Sequence, residues 1–394
     1  MYSKTDISNS RQNNSIRFVS IILCAVLFVV LGMAAVAPNS VTQMLRPLFI
    51  LACLLSLLKG VRLYRANSTK WAIFSSIYFT IILVFNTITT SALITYISMV
   101  LFLAFFILAG SYTWTKREIM LILFVVLLSC DFQAVVLNIF NPRLLYSTGN
   151  QHLSFLGTTT NRNPCAFALV PGALSGLIIF KYCKKSNCLR LFGFFSCLLC
   201  FYTVFAIGCR SAFISVAVGA FLMLWQAERE KATKIDRLQG EMKIIIFVVL
   251  LVLIMTLVVS GTYSERLFDY SDSSGREEIW KKAWTLIDAK PIFGGGYDYW
   301  SEADYDIGTH NSLILILLYS GYVGGTLITV MLFSVFVDCV RSHNLIPIAF
   351  FTETVCHTMT ETSMDYYAFI PMVLTLIILK YIQSHKGGIY ELFS

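Results

Sequence analysis

Four residues beside long apolar runs carry most of the chemistry this sequence can offer: Arg162 in TTTNRNPCAF, Arg210 in AIGCRSAFISVAV, Arg276 in SDSSGREEIWKKAW and His310 in IGTHNSLILILL. A guanidinium presents a planar fork that matches the oxygens of a phosphate. A neutral imidazole takes a proton from a hydroxyl near pH 7. Together they suit transfer from a lipid-linked diphosphate leaving group to an alcohol. A second constellation competes: Glu353, His357 and Glu361 share one apolar run, and Asp365 follows it. Intramembrane acids and histidines also mark ion pathways, so a proton-coupled transporter is the rival reading.

The elements that must position these residues are membrane spans. The chain has 394 residues, 57% hydrophobic and only 13% charged, whereas soluble proteins carry about 25% charged residues. That excludes a soluble enzyme, a disordered tail and a nucleic-acid binder. A span needs ~20 predominantly apolar residues. The sequence predicts an all-α polytopic membrane protein forming a single integral domain over 1–394. Its twelve transmembrane helices fall near 18–36, 44–58, 71–88, 92–110, 119–138, 165–180, 191–208, 211–226, 244–261, 311–337, 345–364 and 367–383. The first begins like a signal peptide, with Ala35-Val36-Ala37 before Pro38. Its apolar run exceeds the usual h-region, so it reads as a membrane anchor.

Charge sets the orientation. With the N-terminus in the cytoplasm, 21 of the 30 Lys and Arg fall in cytoplasmic segments, among them the clusters Lys59–Lys70, Lys181–Arg190 and Arg229–Lys243. Positive residues are retained on the cytoplasmic side, so both termini are expected inside. The mixed-sign segment 226–243 is then a solvated cytoplasmic connector. Arg162, Arg210 and Arg276 sit on the outer side, where retention of positive charge does not account for them. An arginine at bilayer depth costs ~2.5–3.5 kcal/mol on insertion scales, so such residues tend to have a task.

The larger outer loop, 262–310, is the expected periplasmic catalytic loop, with five Lys/Arg against ten Asp/Glu. Within it SDSSGREEIWKKAWTLIDAKP predicts a short amphipathic helix, capped by Ser273 or Ser274, with Glu277 and Glu278 at its positive end. Trp280, Ala283, Trp284 and Ile287 recur on one face, suiting a helix at the membrane surface in contact with lipid. Pro291 ends the helix, and Gly294-Gly295-Gly296 follows as a turn device rather than a nucleotide cradle. No Walker motif or dinucleotide fingerprint occurs. Eleven cysteines are scattered mainly through spans and cytoplasmic segments. Cys197 and Cys200 form a CxxC inside an apolar run and read as small hydrophobes, while a bridge between Cys165 and Cys209 stays open. No metal site and no cofactor are expected.

In this order, IGCRSAFISVAVGAFLMLW, GREEIWKKAWTLIDAKPIFGGGYDYW and GTHNSLILILLYSGYVGG resemble the bacterial O-antigen ligase/polymerase family over roughly 200–330, with NRNPCAFAL a weaker match upstream. The shared pattern is an arginine opening a span, a loop arginine before a tryptophan-bearing helix, a Pro-x-x-Gly-x-Gly turn, and His-Asn leading into a glycine-broken span. The resemblance implies a metal-independent, inverting glycosyltransferase acting outside the inner membrane. Its donor would be a glycan on undecaprenyl diphosphate, and its acceptor another glycan or lipid A-core. It implies that Arg210 and Arg276 hold the diphosphate and that His310 activates the acceptor, with Asn311, Gly294 and Gly296 in support. Arg162 joins them on position and charge alone. Polymerase is preferred to ligase because each surface-glycan system brings its own. A chain-length regulator is a further expected partner.

Overall fold

The computed structural model describes residues 18–32, 67–86, 89–141, 152–155, 158–184, 186–230, 238–240, 242, 276–303, 308–361 and 369–385. The described chain is helical almost throughout, and the protein is an all-α polytopic membrane protein. Seven helices are long and apolar enough to cross a membrane. They are α2 (Asn67–Phe85), α3 (Thr90–Ser111), α4 (Lys116–Phe140), α5 (Arg162–Tyr182), α6 (Asn187–Ile207), α7 (Arg210–Arg229) and α10 (Ser312–Arg341). Shorter helices α1 (Phe18–Gly32), α11 (Leu345–Thr360) and α12 (Phe369–Ser384) occupy three more of the expected spans, and α9 (Tyr299–Glu302) is a single turn. The spans expected at 44–58 and 244–261 lie outside the described residues, as do Ser273, Ser274 and Asp365.

Helix α5 is the centre of the bundle: 83% of its apolar window is buried, against 28% for α6. Its sequence explains this. PGALSGL places Gly172 and Gly176 four residues apart, and small residues let membrane helices approach closely. A methyl group on Gly172 would lie 2.3 Å from Cys130 Cβ of α4, and one on Gly176 would lie 2.7 Å from the Gly193 carbonyl oxygen of α6. Apolar side chains such as Phe85, Phe195 and Phe333 stay exposed on outer helices, as expected where lipid is the solvent.

One feature differs from the sequence expectation. A short antiparallel pair, β1 (His152–Phe155) with β2 (Thr158–Asn161), stands in the loop before α5. The β-branched run Thr158-Thr159-Thr160 favours extended backbone, and β2 runs straight into Asn161, which caps α5 by accepting from the Asn163 N–H. Among the cysteines, Cys165 and Cys209 are both free, so no bridge joins them. Cys200 is buried and, with Ser196, turns towards the Asp131 carboxylate of α4.

One end of this bundle gathers the start of α5, the α6–α7 turn at Gly208-Cys209, the start of α10 and the end of α11. Hydrogen bonds from Asn163 and Ser312 to Glu361 tie the starts of α5 and α10 to the end of α11 there. Gly176→Leu is expected to force α5 from α6 and lower the thermal midpoint of the detergent-purified protein by several degrees, about 1–3 kcal/mol of overpacking. A melt followed by size-exclusion chromatography measures it.

Candidate functional site

Helix α8 (Arg276–Ala289) lies along the first half of α10, burying Ala283 and Ile287 against Ile314 and Leu318. The amphipathic face expected from the sequence is thus spent mainly on α10. Trp280 turns towards α10 and its indole N–H donates to the Thr309 carbonyl at 2.9 Å, while Trp284 is exposed. The two residues are four apart, but the packed face is centred on Ala283 and Ile287, and Trp284 falls past its edge.

After α8, the Pro-Ile-Phe-Gly-Gly-Gly turn enters a break in α10. Gly321 has φ 62° and ψ −166°, which ends the helical ladder there. Helical geometry would pair the Tyr322 and Val323 N–H groups with the carbonyls of Leu318 and Tyr319. Instead Tyr322 donates to Pro291 O at 2.7 Å and Val323 to Ile292 O at 3.3 Å. The freed carbonyls of Leu318 and Tyr319 accept from Gly295 and Gly296 at 2.9 and 3.1 Å. A third carbonyl, that of Ser320, accepts from the Tyr78 hydroxyl of α2 at 2.8 Å. Non-helical backbone at membrane depth is tolerated only where such partners exist. The glycine turn and the glycine break are therefore one device, and it locks α8 to α10. Gly294 itself has φ 71°, and a methyl group there would meet the Ser320 amide nitrogen at 2.4 Å.

That lock places Arg276, the first residue of α8, beside His310, which precedes α10. His310 has φ 50°, a left-handed conformation that non-glycine residues rarely adopt and that costs of order 1 kcal/mol. Its neighbours hold it there. Thr309 is fully buried and its hydroxyl donates to Asn311 O at 2.9 Å. Asn311 caps α10, its side-chain oxygen accepting from the Leu313 and Ile314 N–H groups at 3.0 and 3.1 Å. Its amide also donates to Met359 O at the end of α11.

The residue on which these groups meet is Glu361, directly after α11. Arg276 approaches Glu361 Oε1 at 3.7 Å and His310 Nδ1 approaches Oε2 at 3.6 Å. Asn163 Nδ2, from the first turn of α5, donates to Oε1 at 2.7 Å. The Ser312 hydroxyl donates to the Glu361 carbonyl at 2.7 Å, stitching α11 to α10. The carboxylate is 5% exposed, whereas Arg276 and His310 are 26% and 25% exposed, so it lies beneath them. Helix α7 joins through Cys209, immediately before Arg210. Burial raises the Cys209 thiol above its ordinary range, and among the smaller influences Glu361 adds to this and Arg276 opposes it.

Of the sequence-predicted site residues, Arg276 and His310 thus share one carboxylate. Arg210 opens α7 next to Cys209, and Arg162 opens α5, buried beside Asn163. Asn311, Gly294 and Gly296 fix backbone rather than point at the cluster. Asn163 is the residue sequence reasoning missed, and Glu361 is placed by it in the rival constellation. Glu361 reads in sequence as part of the span-eleven constellation, but α11 ends at Thr360, which frees Glu361 from that helix. Glu353 and His357 are fully buried deeper in α11, with His357 stacked on Phe167 at 4.2 Å.

Arginines at the first turn of α5, α7 and α8 lie at the wrong end of the helix dipole, where a cation is disfavoured by ~0.3–1 kcal/mol. An anion at that end is favoured, and a phosphate suits both the N–H groups and the guanidinium forks. Gly294→Ala should separate α8 from α10 at a cost of about 1–3 kcal/mol. A cysteine pair joining the buried faces of the two helices should then cross-link poorly, as read on a gel.

Residues 195–329 match a protein-family model described as O-antigen ligase. The match runs from within α6 to within α10, so it includes Arg210, Arg276, Gly294, Gly296, His310 and Asn311 and leaves out Arg162 and Glu361. No curated protein sequence matches the chain.

Proposed function

We propose, from the match of residues 195–329 to an O-antigen ligase family model, that the chain is a membrane glycosyltransferase of surface-polysaccharide assembly, O-antigen or capsule. It works at the outer face of a bacterial inner membrane, with both termini cytoplasmic. Its donor is a glycan on undecaprenyl diphosphate and its acceptor a sugar hydroxyl. The observation that carries this reading is the meeting of Arg276 and His310 over Glu361, at the bundle end where Arg162 and Arg210 also open helices.

In the proposed reaction, Arg210 and Arg276 bind the diphosphate, with Arg162 adding positive charge from the start of α5. His310 takes the proton of the acceptor hydroxyl. The acceptor oxygen forms its bond to the anomeric carbon as the bond from that carbon to the diphosphate oxygen breaks. Attack from the face opposite the leaving group inverts the anomeric centre. Undecaprenyl diphosphate departs with the bonding electron pair, its charge stabilised by the guanidinium groups, so the reaction uses no metal. Charge stabilisation of this kind is commonly the largest single contribution to catalysis, with the general base adding roughly 10²–10⁴-fold.

We take the acceptor to be a second lipid-linked repeat unit, which makes the protein a polymerase; lipid A-core as acceptor would make it a ligase. A chain-length regulator fits the polymerase reading as a partner. His310→Ala and Arg210→Ala should each abolish long-chain surface glycan while the protein still inserts in the membrane. In a deletion strain, a lipopolysaccharide gel should show single repeats on lipid A-core; bare core with accumulated lipid-linked polymer would instead identify a ligase. The fully buried Glu353 is the observation that favours ion-coupled transport. Normal glycan ladders from both site variants, with loss on Glu353→Gln, would establish that reading in place of ours.

A further inference from the structure

Glu361 stands in an unusual place for a site built to bind an anion. A carboxylate that faces the arginines of a diphosphate site repels the ligand, and burying it has a desolvation cost. Packing alone does not require a charge here. Asn163 would donate as well to a glutamine oxygen, and Ser312 bonds the backbone carbonyl rather than the side chain. The charge therefore acts on the two cationic or protonatable groups beside it.

The geometry points to Glu361 as a positioning residue that changes partners when donor binds. The inference rests on the glycosyl-transfer reading above. Asn163, at 2.7 Å, anchors one carboxylate oxygen; the contacts to Arg276 and His310, at 3.7 and 3.6 Å, are looser. Asn163 and the short backbone link to Ser312 therefore hold Glu361 in place while its contacts to Arg276 and His310 can change. In the empty site the carboxylate is the anion that faces Arg276 across the N-terminal ends of the helices. A bound diphosphate offers Arg276 more negative charge and a bidentate geometry, so Arg276 transfers to it.

Glu361 then serves His310. Nδ1 of His310 is buried and makes no hydrogen bond within the described residues, and the group it faces is Glu361 Oε2. A carboxylate on that side favours the tautomer with the proton on Nδ1, which leaves the Nε2 lone pair for the acceptor hydroxyl. When the imidazole receives the acceptor's proton, the same carboxylate stabilises the cation that forms. An acid that orients a catalytic histidine in this way acts through the histidine and never touches the substrate. The loose Arg276 contact adds a timing element: the carboxylate is shared before donor binds and is left to His310 afterwards.

The test uses the full-length protein in nanodiscs, with a lipid-linked glycan as donor for turnover and undecaprenyl diphosphate alone as the binding probe. Glu361→Gln keeps the volume and the Asn163 bond but removes the charge. It should lower kcat by roughly 10²–10⁴-fold, the range expected when a general-base histidine is deprived of the carboxylate that sets its tautomer. Its affinity for undecaprenyl diphosphate should be unchanged or tighter, because a repelling charge has gone. Glu361→Asp should recover much of the lost kcat. A Glu361→Gln protein with normal kcat, or one whose loss lies entirely in weaker binding of undecaprenyl diphosphate, overturns the inference. Failure of Asp to recover more activity than Gln overturns it too. His310→Ala distinguishes the two levels. If it retains full transfer activity, the glycosyl-transfer reading itself has failed. If it is inactive while Glu361→Gln is normal, only the role of Glu361 has.

Discussion

Cations placed at helix N-termini need an anion, and one end of this protein is arranged around that requirement. Arg162, Arg210 and Arg276 each occupy the first position of a helix, where the backbone N–H groups already present partial positive charge. In ordinary proteins acids collect at this position and bases at the other end. Here one buried carboxylate, Glu361, is brought beside Arg276 from the end of α11, with Asn163 and Ser312 fixing its place. The arrangement leaves Arg276 and His310 partly exposed above the acid.

Holding such a cluster together demands precision from elements that have little else in common. Helix α8 is short and amphipathic, while α10 is a long apolar span. They are joined by four backbone hydrogen bonds that fill the gap left by the broken ladder at Gly321. Backbone bonds at membrane depth are costly to leave unmade, so this joint resists slippage. It sets the distance between Arg276 at one helix start and His310 at another. The left-handed backbone of His310 is a local strain that the surrounding Thr309, Asn311 and Trp280 contacts sustain.

Much of this was legible in the sequence, and the reasons it stopped short are physical. Apolar run lengths mark the helices because lipid imposes one length scale on them, and ten of the expected spans coincide with described helices. The outer arginines stand out because the positive-inside bias removes the competing explanation. Trp284 misleads because residues four apart share a face only approximately, and a narrow contact centred on Ala283 and Ile287 excludes it. Asn163 cannot be singled out beside Arg162 without knowing that α5 starts there. Glu361 is hidden by the length of α11: an apolar-run argument carries the span on to 364, whereas the helix ends at Thr360. Nor can spacing along the chain show that Gly294-Gly295-Gly296 and Gly321 are two halves of one joint.

In the proposed reaction Arg210 and Arg276 hold a lipid diphosphate. An electron cryomicroscopy structure of the protein in nanodiscs with undecaprenyl diphosphate would show where that group binds. Diphosphate density is expected within hydrogen-bonding reach of Arg210 and Arg276, with Arg276 drawn away from Glu361 and His310 still facing it. Diphosphate bound at the cytoplasmic end of the bundle, or bound away from both arginines, would contradict the proposal.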